Sequence, residues 1–370
     1  MSAQPQSTQP ATLPLPVQSQ FEPSVYQSFI RSLRNFWREE TYQRSVKTAS
    51  ELGAVDPATM ERRMRETIEY QLYAWLERHS QQFKYYHRHG VIPTVRARQT
   101  ELQQSLDAAR ARSPERLRLD PGFKVPDYVR EVDIHQHAQG TWSDPTDGVA
   151  YECATTGFSF SLLNADLPMT IYAETARRLL GAPARPGRLL DLGCTIGGAT
   201  RALKRAFPGA EVFGCDVSAP ALTLAHLRAM EQGLDITWIQ AAAESLPFDD
   251  GSVDLIGSHW LFHEMTPAAI RESLREAWRT LRPGGAIMVQ DMYLTPGGEV
   301  GRWLAAGYAA RNNEPFAYSY ANMDMPAELQ AVGFTDVDMG ISYPPAAADG
   351  SLPAARTHYV TMVTARKPGH

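Results

Sequence analysis

The spacing of hydrophobic positions changes character partway along this chain. From Phe21 to about Ser113 large apolar residues recur at three- and four-residue steps. One run holds Phe29, Leu33, Phe36 and Trp37, and a longer one holds Met64, Ile68, Leu72, Trp75, Leu76 and Phe83. That spacing aligns them along one stripe of a helix. Asp56-Pro57 opens the second run, His89-Gly90 with Pro93 closes it, and a third helix is predicted over 94–111. From Leu167 short apolar runs alternate with helical patterns. Strands are predicted near 188–191, 211–215, 236–240, 253–258 and 285–291, and helices near 168–181, 198–207, 219–232, 267–281 and 326–332. Such alternation implies a parallel sheet with right-handed crossovers.

Two stretches carry neither period. Residues 1–20 are uncharged and rich in Pro, Gln, Ser and Thr, so disorder is expected there. Residues 114–166, beginning with a segment dense in Pro, Asp and Gly, are expected to form a connector that folds over a site as a lid. The chain therefore divides into a tail (1–20), a helical N-terminal domain (21–113), the connector (114–166) and an α/β domain (167–370). The α/β domain carries an aromatic-rich insertion at about 293–325. Long loops at the carboxyl edge of such sheets commonly set substrate specificity. The helical domain is expected to serve as a scaffold, a lid or the interface of a homodimer.

Composition narrows this picture only a little. No apolar run reaches membrane-span length, and the N-terminus lacks the basic-then-apolar order of a signal peptide, so the cytoplasm is the expected location. Cys153, Cys194 and Cys215 are an odd, scattered set and read as small buried residues. The net charge of −5 is unevenly spread: residues 21–118 hold 17 Lys plus Arg against 12 Asp plus Glu, leaving 19 against 29 elsewhere. A basic front raises the question of nucleic acid. Its arginines, however, interleave with glutamates, as in Glu61-Arg62-Arg63-Met64-Arg65-Glu66, the pattern of a solvated helix face. A nucleic-acid partner is not expected.

The chemistry concentrates where strand gives way to helix. Arg188-Leu189-Leu190-Asp191-Leu192-Gly193-Cys194-Thr195-Ile196-Gly197-Gly198 is an apolar run, a carboxylate, a glycine turn and a helix start. Such a unit receives a nucleoside at the carboxyl end of a strand. A second strand ends in Asp216, spaced to take a ribose diol. The dinucleotide frame G-x-G-x-x-G fails, because Thr195 occupies the place of its second glycine.

With Ala243-Glu244-Ser245-Leu246-Pro247-Phe248-Asp249-Asp250-Gly251-Ser252-Val253-Asp254 and Leu281-Arg282-Pro283-Gly284-Gly285 following in order, the chain resembles the class I S-adenosylmethionine-dependent methyltransferases of the type 11/25 kind, from about Leu167 to Lys367. The resemblance implies a Rossmann-like seven-stranded sheet, mostly parallel with an antiparallel last strand, behind the helical N-terminal domain. It implies S-adenosyl-L-methionine as cofactor, bound by Asp191, Gly193, Cys194, Thr195, Gly197, Asp216, Val217, Ala243, Glu244, Ser258 and His259. The end of the fourth family strand, Ser258 to Met265, then lies beside the reacting methyl. His263 is the general-base candidate, since imidazole titrates near neutrality, and Glu264 either orients it or is itself the base. The alternative is that both residues cap the turn into the next helix.

His135, His137, Trp142 and Tyr151 in the connector, and Asp291 and Tyr293 after the fifth family strand, are candidates for binding substrate. Asp291 has an equal alternative in tying down its loop. His135 and His137 have ligand spacing, but no further Cys or His completes a metal site, so none is expected. The expected function is methyl transfer to O, N or C of a small molecule in specialised metabolism. The alternatives are a protein or RNA methyltransferase docking through the basic helices, and a cofactor-binding subunit without activity.

Overall fold

The computed structural model describes residues 20–53, 55–138, 140–155, 167–181, 187–293, 298–343 and 359–369. The expectation of a disordered tail falls on 1–19, outside the described residues. Eight strands make one sheet: β1 (Leu117–Arg118), β2 (Arg188–Leu192), β3 (Glu211–Asp216), β4 (Thr237–Gln240), β5 (Val253–His259), β6 (Leu281–Tyr293), β7 (Thr335–Tyr343) and β8 (Tyr359–Arg366). Their spatial order is β1-β4-β3-β2-β5-β6-β8-β7. Only β8 runs against its neighbours, antiparallel to both β6 and β7. The resemblance implied seven strands. The eighth, β1, comes from the connector and pairs Leu117 with Trp238 and Arg118 with Ile239 along the outer edge of β4. Two residues leave no period to read in a sequence.

The central strands are apolar throughout because both faces are covered. Successive residues of a strand point to opposite faces. Accordingly Leu190 joins a core with Ile256, Ile270 and Leu274, while Leu189 joins another with Tyr172, Leu203 and Val212. Strand order reverses at β2, flanked by β3 on one side and β5 on the other. A crevice opens outside the carboxyl ends of strands at such a reversal.

In chain order the helices are α1 (Phe21–Phe36), α2 (Tyr42–Glu51), α3 (Pro57–Met64), α4 (Ile68–Tyr86), α5 (Val91–Arg96), α6 (Gln99–Arg112), α7 (Asp127–Arg130), α8 (Asp147–Ala154), α9 (Leu167–Leu180), α10 (Gly198–Ala206), α11 (Ala219–Glu231), α12 (Pro267–Thr280), α13 (Gly298–Asn312), α14 (Ala317–Ala321) and α15 (Met325–Val332). Side-chain caps fix several starts: the Asp56 carboxylate accepts from Ala58 and Thr59 amides, and Thr266 from Ala269. None of the described helices is long and apolar enough to cross a membrane.

The helical front departs from its sequence reading. The long run beginning at Pro57 is two helices, because Thr67 leaves the helical conformation and caps α4. The 94–111 stretch likewise breaks between α5 and α6. Phe29, Ile68 and Trp75 are 57%, 68% and 49% exposed. Trp37, Met64 and Leu76 of the expected stripes are buried, and Ile30, Tyr70 and Tyr73 take the places of the exposed residues in the core. What selects the buried face is distant in sequence. Trp303 and Leu304 of α13 complete this core, and the Trp303 indole donates to Glu61 at 2.6 Å. Arg311 of α13 forms a buried ion pair with Glu77 of α4. The insertion is thus packed into the N-terminal helices, and Glu314 at its centre reaches His135 of the connector that covers the crevice.

Candidate active site

A cleft of about 930 Å³, counting its open mouth, lies at the carboxyl ends of β2, β3 and β5. From the loop after β2 it takes Gly193 and Thr195; from the end of β3, Asp216 and Val217; and from the segment after β4, Ala241, Ala243 and Glu244. The turn after β5 gives Trp260, Leu261, Glu264 and Met265. The connector crosses over it with Tyr128, His135, His137, Trp142 and Tyr151, and α4 adds Tyr85.

The backbone is strained at this cleft. Three of the six described non-glycine residues with positive φ line it: Thr195 at 45°, His135 at 55° and Trp260 at 61°. Such conformations persist only where surrounding contacts impose them, and they gather at functional sites. The amide of Thr195 donates to Asp216 Oδ2 at 2.8 Å, and that of Ser218 to Oδ1 at 2.8 Å. Burial raises the Asp216 carboxyl to about 6 in spite of these two bonds. Glu244, raised by burial as well, accepts from Tyr128 Oη at 2.8 Å. Glu244 is the polar group of the segment after β4 that reaches the cleft.

Other expected cofactor residues act one layer back. Asp191 does not line the cleft: its Oδ1 accepts from Tyr172 at 2.7 Å and its Oδ2 from Thr200 at 2.6 Å, so it locks the loop from beneath. Tyr172 reaches it across Gly257, where an added Cβ would lie 2.0 Å from the phenol oxygen. Gly197, at φ 75°, admits the Trp238 ring beneath the loop, 2.2 Å from where its Cβ would stand. Cys194 is buried on the same side. Ser258 is fully buried, and His259 Nδ1 bonds Gln290 at 2.9 Å; burial pushes that imidazole down to about 4. Neither lines the cleft.

The structure sets His263 apart from Glu264. His263 is 3% exposed and absent from the cleft wall. Its Nδ1 lies 2.6 Å from Asp291 Oδ1. Burial alone would lower this imidazole, but Asp291, with Glu264 and Glu314, outweighs it and raises it to about 9. His263 is thus drawn toward its protonated form by Asp291 and lies outside the cleft lining. Asp291 is fully buried and also accepts from the amides of Phe262 at 2.7 Å and His263 at 3.2 Å. It ties down the turn, and it is not among the residues lining the cleft. The side chain of Tyr293 lies outside the described residues.

Glu264 and His135 do meet, inside the cleft. His135 Nε2 is 3.1 Å from Glu264 Oε1, and its Nδ1 is 2.9 Å from Glu314 Oε1. Burial lowers His135, yet Glu314 and Glu264 together hold it up at about 10, a charged link between two carboxylates. His137 goes the other way: burial, helped by Lys84 and Arg96, pushes it down to about 4. It stacks on Tyr85 and leaves Nδ1 buried without a hydrogen-bond partner. Glu314, Tyr85, Tyr128 and Trp260 were not expected from sequence. A lone acid in Asn313-Glu314-Pro315-Phe316, amid the aromatic insertion, is the signal that pointed to Glu314.

The residues present suit a nucleoside with a sulfonium. Asp216 offers a carboxylate for a diol, Ala241 and Ala243 leave room for a flat ring, and two buried cleft atoms, Trp260 Nε1 and His137 Nδ1, have no partner within the protein. No group of three or more His, Cys, Asp or Glu among the described residues is arranged to hold a metal.

Comparison with known proteins agrees. Residues 189–285 match the model of a methyltransferase domain family. A demethylmenaquinone methyltransferase of Thermus thermophilus is 34% identical over 38% of this chain and 64% of its own length. An uncharacterized methyltransferase of Synechocystis is 33% identical over 41% and 69%, and a ubiquinone biosynthesis O-methyltransferase of Paraburkholderia phymatum 30% identical over 45% and 72%. The chain belongs to the class I S-adenosylmethionine-dependent methyltransferases, and S-adenosylmethionine is its cofactor. It spans about two thirds of the length of these relatives.

Proposed function

We propose that this protein transfers a methyl group from S-adenosylmethionine to a small-molecule acceptor, in the cytoplasm and in specialised metabolism. The observation that carries this reading is the roof. The connector and α4 close over the carboxyl edge of the sheet and leave a roofed cleft. Concave clefts lined mostly by apolar and aromatic side chains with a few convergent polar groups take small molecules, so the site suits the cofactor with a modest acceptor and not a folded macromolecule. In this reading Gly193, Thr195, Asp216, Val217, Ala243 and Glu244 hold the nucleoside. Glu264, His135, His137, Trp142 and Tyr151 face the acceptor, with Glu264 as the proton acceptor where one is needed.

The basic front does not favour a nucleic-acid acceptor. Several of its arginines are paired, as Arg65 is with Glu61, Arg44 with Glu40, and Arg96 with Asp144 and Asp147 of the connector. Labelled methyl transfer tests the proposal. Incubating the protein with labelled S-adenosylmethionine and a cell extract split by size should put label into the low-mass fraction. Label in protein or RNA would establish the second reading, and retained cofactor without transfer to either fraction would mark a non-catalytic subunit.

A further inference from the structure

The cleft is lined by acids and aromatic rings, and among the described residues by no lysine or arginine. Asp216 and Glu244 stand on the β3–β4 side, with the segments assigned above to the nucleoside. Glu264 stands on the β5 side. Burial raises the phenols of Tyr85, Tyr128 and Tyr151, and the Glu264 carboxylate raises each further, so three rings lie within its field. The nearest cation, His135, is shared between Glu264 and Glu314. The proton of His263 is committed to Asp291. Lys84 and Arg96 act on His137 from outside the lining. Burial pushes the Lys84 ammonium well down toward its neutral form, and Arg96 is paired with Asp144 and Asp147. Negative charge at the acceptor end is therefore in excess.

We propose, resting on the methyltransferase reading above, that the acceptor is an amine, drawn in as its ammonium by Glu264 between the rings of Tyr128, Tyr151 and Trp260. An ammonium gains from the carboxylate and from the ring faces. A phenolate, carboxylate or phosphate would set a second negative charge beside Glu264 with no lining Lys or Arg to offset it. The ammonium passes one proton to a Glu264 oxygen. The freed nitrogen lone pair forms the N–C bond as the methyl carbon's bond to sulfur breaks, and that bond's electron pair stays on sulfur. The products are a methylated ammonium and a neutral thioether, and Glu264 returns its proton to solvent. His135 and Glu314 are positioning residues: one holds the Glu264 oxygen, and the other holds the imidazole.

Binding measurements test this without knowledge of the natural acceptor. The full chain, loaded with S-adenosylhomocysteine, is titrated calorimetrically with benzylamine, benzyl alcohol, phenol and phenyl phosphate, four ligands with one ring and different heads. Benzylamine should bind at least about tenfold tighter than the others, the margin expected of a charge-assisted contact. In Glu264→Gln that margin should shrink to within about threefold while S-adenosylhomocysteine affinity, which reports an intact fold, is kept. Equal or tighter binding of phenol or phenyl phosphate overturns the amine assignment, and so does a margin that survives Glu264→Gln. Failure of S-adenosylhomocysteine itself to bind takes down the methyltransferase reading, and this inference with it.

Discussion

The sheet and its helical roof bury charge in different ways. In the sheet, acids at strand ends are held by neutral donors: Asp191 by two hydroxyls, Asp216 by two backbone amides. In the roof, buried acids meet cations: Glu77 meets Arg311, and Glu314 meets His135. Neutral donors are supplied by the local chain and hold a carboxylate in one place for ligand binding. Ion pairs join segments far apart in sequence, and removing one partner leaves an uncompensated charge. Asp291 belongs to both patterns, taking backbone amides on one oxygen and the His263 imidazole on the other.

That position makes Asp291 the largest expected effect. Asp291→Ala strands two amides and a charged imidazole, and should cost about 4–5 kcal/mol, read from denaturant midpoints. Asp291→Asn adds a sign test. His263 is raised from 6.5 to about 9, so its contribution is complete below pH 6.5 and disappears as pH rises through about 9. That alkaline loss should vanish in the Asn variant. Next comes the roof. Glu77→Ala should cost about 3–4 kcal/mol, and pairing it with Arg311→Met should recover part of the loss. If the single variant loses under 1 kcal/mol, the roof is not held by its ion pairs.

Asp216→Ala should leave melting nearly unchanged and weaken S-adenosylhomocysteine binding by about 1.5–3 kcal/mol. With its carboxyl raised to about 6, wild-type affinity should fall as pH drops through 6, and Asp216→Asn should flatten that dependence. Calorimetry at several pH values reads both. The smallest effect is expected on the exposed side of the front helices, where Phe29→Ser should move stability by no more than about 0.5 kcal/mol. A larger shift, or a concentration-dependent one, would show that this face is covered in solution.

Legibility follows the same division. Strand β3 ends at Asp216 and helix α12 begins at Pro267, as expected from sequence, because a hydrophobic run and a Thr-Pro cap are local signals. Asp216, Thr195 and Glu244 reached the cleft for the same reason. The roof did not yield to that reading. Which stripe of α4 faces inward depends on Trp303, and the partner of His135 is Glu314; both come from the insertion. No short-range pattern encodes a contact with a segment two hundred residues later. The surroundings of His263 were equally hidden: its nearest partner, Asp291, lies 28 residues on.

The bond between Glu61 and Trp303 closes 242 residues of chain, and that between Glu77 and Arg311 closes 234. Synthesis runs from the N-terminus at about 5–20 residues per second, so the front helices leave the ribosome roughly 10–50 s before the insertion that finishes their core. During that interval Trp37, Tyr70 and Tyr73 have no Trp303 to pack against. The N-terminal helices therefore complete their core only when the insertion has been made, late in synthesis.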